Sequence, residues 1–240
     1  MNEPAPTAIL IDLDDTILEY DSSADRVWRS VVTEFADGTS GLDVERFMSA
    51  LHEFRECYWG DPERHRTGRL NLELARREVV SGTFELMGLT APSLADKIAD
   101  SYAVQRELAV RPFPGALETL AHIRAKGIRM ALVTNGTSAM QRSKIQRFDL
   151  EPFFDYVLVE GEFGAGKPDE RVYLHAIDRL DARPSESWMV GDNLEWEVAA
   201  PQRLGIFSIW VDNNGAGLPE AANVSPDLVI RTLSALMEEI

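Results

Sequence analysis

The chain has 240 residues, with 40 acidic side chains against 24 lysines and arginines, and a formal net charge of −16 at pH 7. This charge argues against a nucleic-acid-binding protein, because a polyanion would be repelled over most of the surface. The 45% hydrophobic share suffices for one or two folded domains, and a single cysteine excludes an internal disulfide or a zinc–cysteine cluster. No apolar run approaches the ~20 residues of a membrane-spanning helix. The first residues also lack the basic and apolar regions of a secretory signal, so we expect a cytoplasmic protein with no membrane partner.

Short apolar runs alternate with helical patterns along most of the chain. The runs, in chain order, are AILID, IRMALVT, DYVLV, WMVGD and IFSIWV. Runs rich in Ile, Val and Leu are typical of strands buried on both faces, as a parallel sheet requires. Two of the intervening segments, ALETLAHIRAKG and KPDERVYLHAIDRL, place apolar residues at helical spacing. The alternation predicts an α/β fold with a doubly wound, Rossmann-like parallel sheet.

One stretch interrupts this alternation. Between Asp21 and Val110 the apolar residues recur only at helical spacing, and the last of these helices opens with Ser93 and Asp96 in the spacing of a capping box. We therefore predict an all-α domain over residues 21–110, inserted into an α/β core domain formed by residues 1–20 and 111–240. The proline-rich sequence RPFPG marks the return to the core.

Four of the predicted strands end in polar groups that have a common chemistry. These are Asp12 and Asp14 after the first strand, Thr134 and Asn135 after the second, Lys167 after the third, and Asp192 with Glu197 after the fourth. Taken singly, each has a plainer explanation as a turn, a helix cap or a loop lysine. Ligand sites of doubly wound sheets form at the carboxyl ends of strands, and the four ends together supply the groups needed for metal-assisted phosphoryl transfer.

The motifs that hold these residues are DLDDT, LVTNG, GKPD and GDNLEWE, in that order. With the phrases PFPGALETL, FDYVLVEGEFGAGKP and GIFSIWVDNNG, they make the chain resemble the haloacid dehalogenase-like (HAD) hydrolase superfamily over essentially its whole length. The resemblance is to the phosphatase branch with a helical cap domain inserted after the first strand. It implies a Mg²⁺-dependent phosphatase that hydrolyses a small phosphorylated metabolite through an aspartyl-phosphate intermediate.

The resemblance also implies a role for each site residue. Asp12 would attack phosphorus, Asp14 would act as general acid and then base, and Lys167 would neutralise the phosphoryl charge, with Thr134 and Asn135 binding its oxygens. The magnesium ligands would be the carboxylates of Asp12 and Asp192 and the backbone carbonyl of Asp14, while Glu197 would orient Lys167 or a metal-bound water. Two positions depart from the commonest pattern: Asp15 stands where many members have glycine, and Glu197 where aspartate is commoner.

Other functions on this fold remain alternatives. A sugar-phosphate mutase or other phosphotransferase would form the same aspartyl-phosphate, and only the acceptor of the phosphoryl group would differ. A haloacid dehalogenase is disfavoured because that branch of the family lacks an aspartate at the position of Asp14. A non-catalytic binding module is disfavoured because no catalytic position is missing.

The predicted helical domain contains a basic segment whose role the sequence leaves open. Arg64, Arg66 and Arg69 lie in a stretch without acidic residues and would either meet an anionic part of the substrate or form a solvated face that pairs with neighbouring glutamates. We interpret the aromatic residues nearby as core. We also interpret Cys57 as a small buried residue rather than a nucleophile.

Overall fold

A computed structural model describes residues 5–37, 41–220 and 222–240. The chain divides into two compact units, Met1–Glu19 with Arg111–Ile240, and Tyr20–Val110. The first four residues, on which part of the expectation about a secretory signal rests, lie outside the described residues. Within the described part of the chain, none of the helices combines the length and apolar character needed to cross a membrane.

The first unit is built on a six-stranded sheet in which every neighbouring pair is parallel. The strands of the chain are β1 (Ala8–Ile11), β2 (Leu18–Glu19), β3 (Arg111–Pro112), β4 (Arg129–Thr134), β5 (Tyr156–Val159), β6 (Ser187–Gly191), β7 (Phe207–Val211) and β8 (Leu228–Ile230). The sheet order is β5-β4-β1-β6-β7-β8, whereas β2 and β3 form a separate two-stranded antiparallel pair. The predicted parallel α/β sheet is therefore confirmed, with β8 as an edge strand that the apolar runs did not predict.

The second unit is helical. Its helices are α1 (Ala24–Ala36), α2 (Val44–Gly60), α3 (Pro62–Gly68), α4 (Leu72–Met87) and α5 (Pro92–Ala109), with a 3₁₀ turn at Asp21–Ser23. It has its own core, in which the rings of Trp28 and Tyr102 stack with centroids 3.5 Å apart and Phe47 meets Phe84 edge to face. Stacked and edge-to-face ring pairs add stability beyond the burial of their apolar area.

Two details of this helical unit differ from the sequence-based predictions. Helix α5 begins at Pro92 with Ala91 at the N-cap and no side-chain cap, so the predicted capping box at Ser93 is wrong. Proline fits the first helical turn because its missing N–H has no intrahelical partner there. Cys57 is exposed rather than buried, because its position on α2 faces away from the core.

The basic segment forms α3 and the turn that follows it. Arg66 makes an ion pair with Glu63, with Nη2 2.7 Å from Oε1, and both side chains are well exposed. Arg64 instead places its guanidinium 5.3 Å from the centre of the Tyr58 ring, at the edge of an open groove of about 510 Å³ between α2, α3 and α4. Arg66 thus lies in a solvated, internally paired face, as one of the two alternatives anticipated.

The helices of the first unit cover the sheet. They are α6 (Ala116–Ala125), α7 (Ser138–Arg147), α8 (Glu160–Phe163), α9 (Glu170–Arg179) and α10 (Ala200–Arg203), with a π-helical turn at Leu194–Ala199 and 3₁₀ turns at Glu151–Phe153, Pro184–Glu186 and Leu233–Glu238. One layer of the core joins α9 to β1, β4 and β5 through buried side chains that include Leu10, Val133 and Tyr173. Residues alternate in direction along a strand, so the neighbouring buried side chains face the opposite layer.

Candidate active site

The strand order brings three of the predicted site residues to one edge of the sheet. β4, β1 and β6 are adjacent and parallel, so Thr134, Asp12 and Asp192 stand at or just after three neighbouring carboxyl ends. The chain remains in register one residue beyond β1, where the Asp12 N–H donates to the Val190 carbonyl at 3.0 Å. A polar residue at this edge lies beyond the apolar layers that cover the sheet but is still held by the strand, and ligand sites therefore form here.

Lys167 occupies the centre of the site. Its Nζ lies 2.5 Å from Oδ1 of Asp12 and 2.7 Å from Oε1 of Glu197, and the lysine side chain is only 1% exposed. Burial alone would lower the pKa of Lys167, but the adjacent carboxylates of Asp12 and Glu197 raise it above its usual value. The lysine is therefore held as a cation beside the carboxylate of Asp12, where it can neutralise an anionic ligand.

Glu197 reaches Lys167 because Gly191 leaves space for a side chain that is one methylene longer than that of aspartate. It lies on the π-helical turn after β6, and its Oε2 accepts a hydrogen bond from the Asn193 N–H at 2.8 Å. A Cβ on Gly191 would lie 2.1 Å from Cγ of Glu197, so only glycine at the end of β6 leaves this space. Burial, opposed by Lys167, raises the pKa of Glu197 to about 7.

Asn135 holds the lysine in place through its side chain. Its Nδ2 donates to the Lys167 carbonyl at 2.8 Å, and its Oδ1 accepts from the Lys167 N–H at 2.8 Å. The amide is thus engaged at both ends with the backbone of the loop that carries the lysine. The side chain of Asn135 is therefore used to hold this loop. The group of Asn135 that remains to bind a phosphoryl oxygen is its backbone N–H.

The loop after β1 is tightly folded. Asp15 has a φ of +59°, in the left-handed region that glycine adopts most readily and aspartate tolerates better than most residues. Its N–H donates to the Leu18 carbonyl at 2.7 Å, and its own carbonyl accepts from the side chain of Asn213, which follows β7. Thr16 donates to Oδ2 of Asp12 at 3.2 Å. The aspartate at this position thus adopts a backbone geometry that glycine would adopt at lower cost.

Asp14 contacts two side chains that the sequence analysis missed. Nζ of Lys144 lies 2.8 Å from both carboxylate oxygens, and Nε2 of Gln141 donates to Oδ2 at 2.9 Å. Both residues are on α7 and are almost completely buried. In the sequence, Gln141 and Lys144 could be noticed only as polar residues on the inward face of a helix. The same polar residues hid the apolar periodicity by which that helix would have been predicted.

The carboxylates around Lys167 form a donor set that suits magnesium. Burial, together with Glu197, Asp12 and Asp15, raises the pKa of Asp192 to about 9, and burial also raises that of Asp12, against the opposing effect of Lys167. The site therefore concentrates negative charge that a divalent cation would neutralise. Among the described residues, no three acidic, histidine or cysteine side chains enclose a metal position. The carboxylates of Asp12 and Asp192, which lie close enough to repel each other, are nonetheless the kind of oxygen ligand that Mg²⁺ prefers, and Mg²⁺ keeps several of its waters.

Comparison with known proteins places this geometry in a family. The profile of the haloacid dehalogenase-like hydrolases matches residues 6–205. A phosphoserine phosphatase of Thermus thermophilus is 35% identical over 176 residues, which are 73% of this chain and 64% of that protein's length. A ribulose-1,5-bisphosphate 5-phosphatase of Halopiger xanaduensis is 30% identical over 209 residues, covering 86% of this chain and 84% of the relative.

The fold also matches a solved structure over nearly its full length. The crystal structure of the HAD-hydrolase YfnB from Bacillus subtilis bound to magnesium superposes with a TM-score of 0.76 and covers 98% of each chain at 19% identity. At this identity the match establishes a shared fold. The fold and the family therefore agree with the resemblance carried by the four strand-end motifs.

The space at Gly191 gives a testable prediction. Gly191→Ala should displace Glu197 and destabilise the protein by about 1–3 kcal/mol, the usual cost of overpacking, and any enzymatic activity should fall because Lys167 loses a partner. The measurement is the urea midpoint of unfolding together with activity. Gly60→Ala is the matched control, because a Cβ there meets nothing within 4 Å. Equal behaviour of the two variants would contradict the assigned packing.

Proposed function

This chain belongs to the haloacid dehalogenase-like hydrolase family, and we propose that it is a Mg²⁺-dependent phosphatase that hydrolyses the phosphate monoester of a small metabolite through an aspartyl-phosphate on Asp12. The observation that carries the proposal is the buried Lys167 ammonium, 2.5 Å from the Asp12 carboxylate at the carboxyl edge of the sheet. Relatives named as phosphatases of phosphoserine and of ribulose bisphosphate support the reaction class. Because those substrates differ in chemistry, the family match does not extend to the substrate.

In the first step, Asp12 attacks phosphorus and the bond to the ester oxygen breaks. Asp14 delivers its proton to that oxygen, so that an alcohol leaves rather than an alkoxide. Lys167 lies beside the attacking oxygen and offsets the repulsion between carboxylate and phosphate, while the hydroxyl of Thr134 and the backbone N–H of Asn135 bind the phosphoryl oxygens. A Mg²⁺ held by Asp12, Asp192 and the Asp14 carbonyl would supply further neutralisation of the transferred charge.

In the second step, Asp14 takes a proton from water as that water attacks the phosphorus of the aspartyl-phosphate. The acyl phosphate bond breaks, and the carboxylate of Asp12 is restored with release of inorganic phosphate. Dividing the displacement in two lets a single carboxyl group serve as acid and then as base. Lys167 holds the carboxylate of Asp12 in place throughout, and Glu197 holds Lys167.

The chain is proposed to act in the cytoplasm on a small molecule, without a nucleic-acid or membrane partner. Its charge of −16 disfavours large polyanionic ligands, whereas a small phosphorylated molecule needs positive charge only at the site itself. The division into an α/β unit and a helical unit supports a core domain of residues 1–20 and 111–240 that carries the chemistry, with residues 21–110 acting as a cap that selects the substrate. A hydrolysis screen over phosphorylated metabolites with Mg²⁺ present tests reaction and substrate together.

Two other reactions on this fold are separable by experiment. A mutase would transfer the phosphoryl group to a sugar hydroxyl, so that added sugar phosphate would suppress phosphate release and yield an isomer. A dehalogenase would release halide from 2-chloropropionate, and this reaction would not need Asp14 as a proton donor. The Asp14 carboxylate, fixed by Lys144 and Gln141 in the structure, favours the phosphatase.

The nucleophile gives the central prediction. Asp12→Asn should reduce hydrolysis of p-nitrophenyl phosphate to background, because an amide is a poor nucleophile, while the fold persists by circular dichroism. Asp14→Asn should slow turnover by about 10²–10⁴-fold, the usual contribution of acid–base catalysis, and should let phosphate accumulate on Asp12, detectable by mass spectrometry. Asp178→Asn, on an exposed face of α9, is the control. Wild-type turnover by the Asp12 variant would refute the mechanism.

The metal gives a prediction that does not depend on activity. Saturating Mg²⁺ added to chelator-treated protein should stabilise it by about 2.7 kcal/mol at a hundredfold excess over Kd, which raises Tm by about 5–10 °C at this chain size. Asp192→Asn should abolish the shift, yet leave the metal-free protein at least as stable as wild type, because one of the mutually repelling carboxylates is gone. Differential scanning calorimetry measures both. An unchanged Mg²⁺ shift in the variant would exclude Asp192 as a ligand.

A further inference from the structure

We propose that Gln141 and Lys144 are positioning residues that fix the carboxyl group of Asp14 for proton transfer and align the hydroxyl of Thr134 at the same time. The proposal rests on the proposed function, because it gives Asp14 the role of acid and base. It adds a supporting element, helix α7, to a site otherwise built from strand ends. Neither residue belongs to the four motifs that led to the site.

The first part of the argument is burial. The side chain of Lys144 is 2% exposed, and Gln141 is equally inaccessible, although lysine and glutamine are normally surface residues. An ammonium group removed from water is tolerated only when it is paired and hydrogen-bonded. Lys144 meets this requirement across both oxygens of Asp14, at 2.8 Å each. The three-residue spacing of Gln141 and Lys144 puts them on one face of α7.

The second part is the geometry at Asp14. Its carboxyl group is held by Lys144 on both oxygens and by Gln141 on Oδ2, so its plane and its direction are both fixed. Each carboxylate oxygen has two lone-pair sites, and these contacts leave room for the proton that is exchanged with the substrate. A general acid must lie within hydrogen-bonding reach of the atom that it protonates, so orientation is a direct part of its efficiency.

The third part is a shared donor. Nε2 of Gln141 also donates to Oγ1 of Thr134 at 2.5 Å. Because the threonine oxygen accepts that hydrogen bond, its own hydrogen is directed elsewhere, and here it points to the Asn135 carbonyl at 3.5 Å, a long contact that a phosphoryl oxygen would replace. One amide group thus sets the distance between the acid and the hydroxyl that binds phosphate.

The test uses Lys144→Met and Gln141→Leu, each alone and combined with Asp14→Asn, in the Mg²⁺-loaded full-length protein. The substrates are p-nitrophenyl phosphate, whose leaving group needs little protonation, and phenyl phosphate, whose leaving group needs more. Because kcat/KM reports the steps up to release of the alcohol, the ratio of the two values measures the contribution of the acid. Lys126→Met is the control, because Lys126 is an exposed lysine at the end of α6.

Lys144→Met should lower kcat/KM for phenyl phosphate by about 10–100-fold, as expected when an acid is misplaced by about 1 Å, but for p-nitrophenyl phosphate by less than about threefold. With p-nitrophenyl phosphate, kcat and KM should fall together, because the water step is slowed after the phosphoenzyme forms. In the Asp14→Asn background either substitution should cost less than about threefold, since residues that act as a unit are not additive. Gln141→Leu should change the ratio of kcat/KM between the two substrates in the same direction.

Equal losses for both leaving groups, or losses that multiply with Asp14→Asn, would overturn the proposal and assign α7 a purely structural role. A loss of Tm by itself would not change the ratio between substrates, so stability and positioning are read separately. If Lys144→Met fails to fold, Gln141→Leu decides by the same two ratios. Failure of the proposed function would be recognised differently. In that case the Asp12→Asn variant would stay active, whatever the results with the α7 variants.

Discussion

The structure depends on the burial of one ammonium group between two carboxylates. Lys167 can occupy the interior only because Asp12 and Glu197 accompany it, and removal of one partner from a buried ion pair typically costs about 3–5 kcal/mol. The requirement extends outwards: Glu197 needs the space at Gly191, and the loop that carries Lys167 needs the amide of Asn135. The positions of most site residues therefore follow from the need to pair the buried Lys167 ammonium with carboxylates.

The same interior holds more acid than base. Asp192 and Asp12 have raised pKa values because burial and neighbouring carboxylates both disfavour the ionised form. A protein tolerates such an arrangement when a ligand supplies the missing positive charge. In the proposed function a divalent cation would offset the excess of carboxylates and so reduce the repulsion that an anionic phosphoryl group meets.

The sheet and the strand-end site were predictable because they depend on local patterns. Apolar runs indicated five of the six strands of the sheet, and the polar residues after four of them pointed to a common edge. What escaped prediction depends on contacts distant in sequence: Lys144 lies 130 positions from Asp14, and its helix shows polar residues where an apolar face was expected. The exposure of Cys57 and the start of α5 escaped for another reason, since helical spacing leaves the rotation and the first residue of a helix open.

The short pairing of β2 with β3 bears on how such enzymes diversify. Leu18 lies opposite Pro112 and Glu19 opposite Arg111, so the chain leaves the α/β unit and re-enters it at neighbouring points. The helical unit between them has a core of its own. An insert with adjacent ends and an independent core can be lengthened, exchanged or replaced by a short turn without changing the register of the sheet. Recombination at these two neighbouring points would therefore exchange the helical unit while conserving the residues at the strand ends.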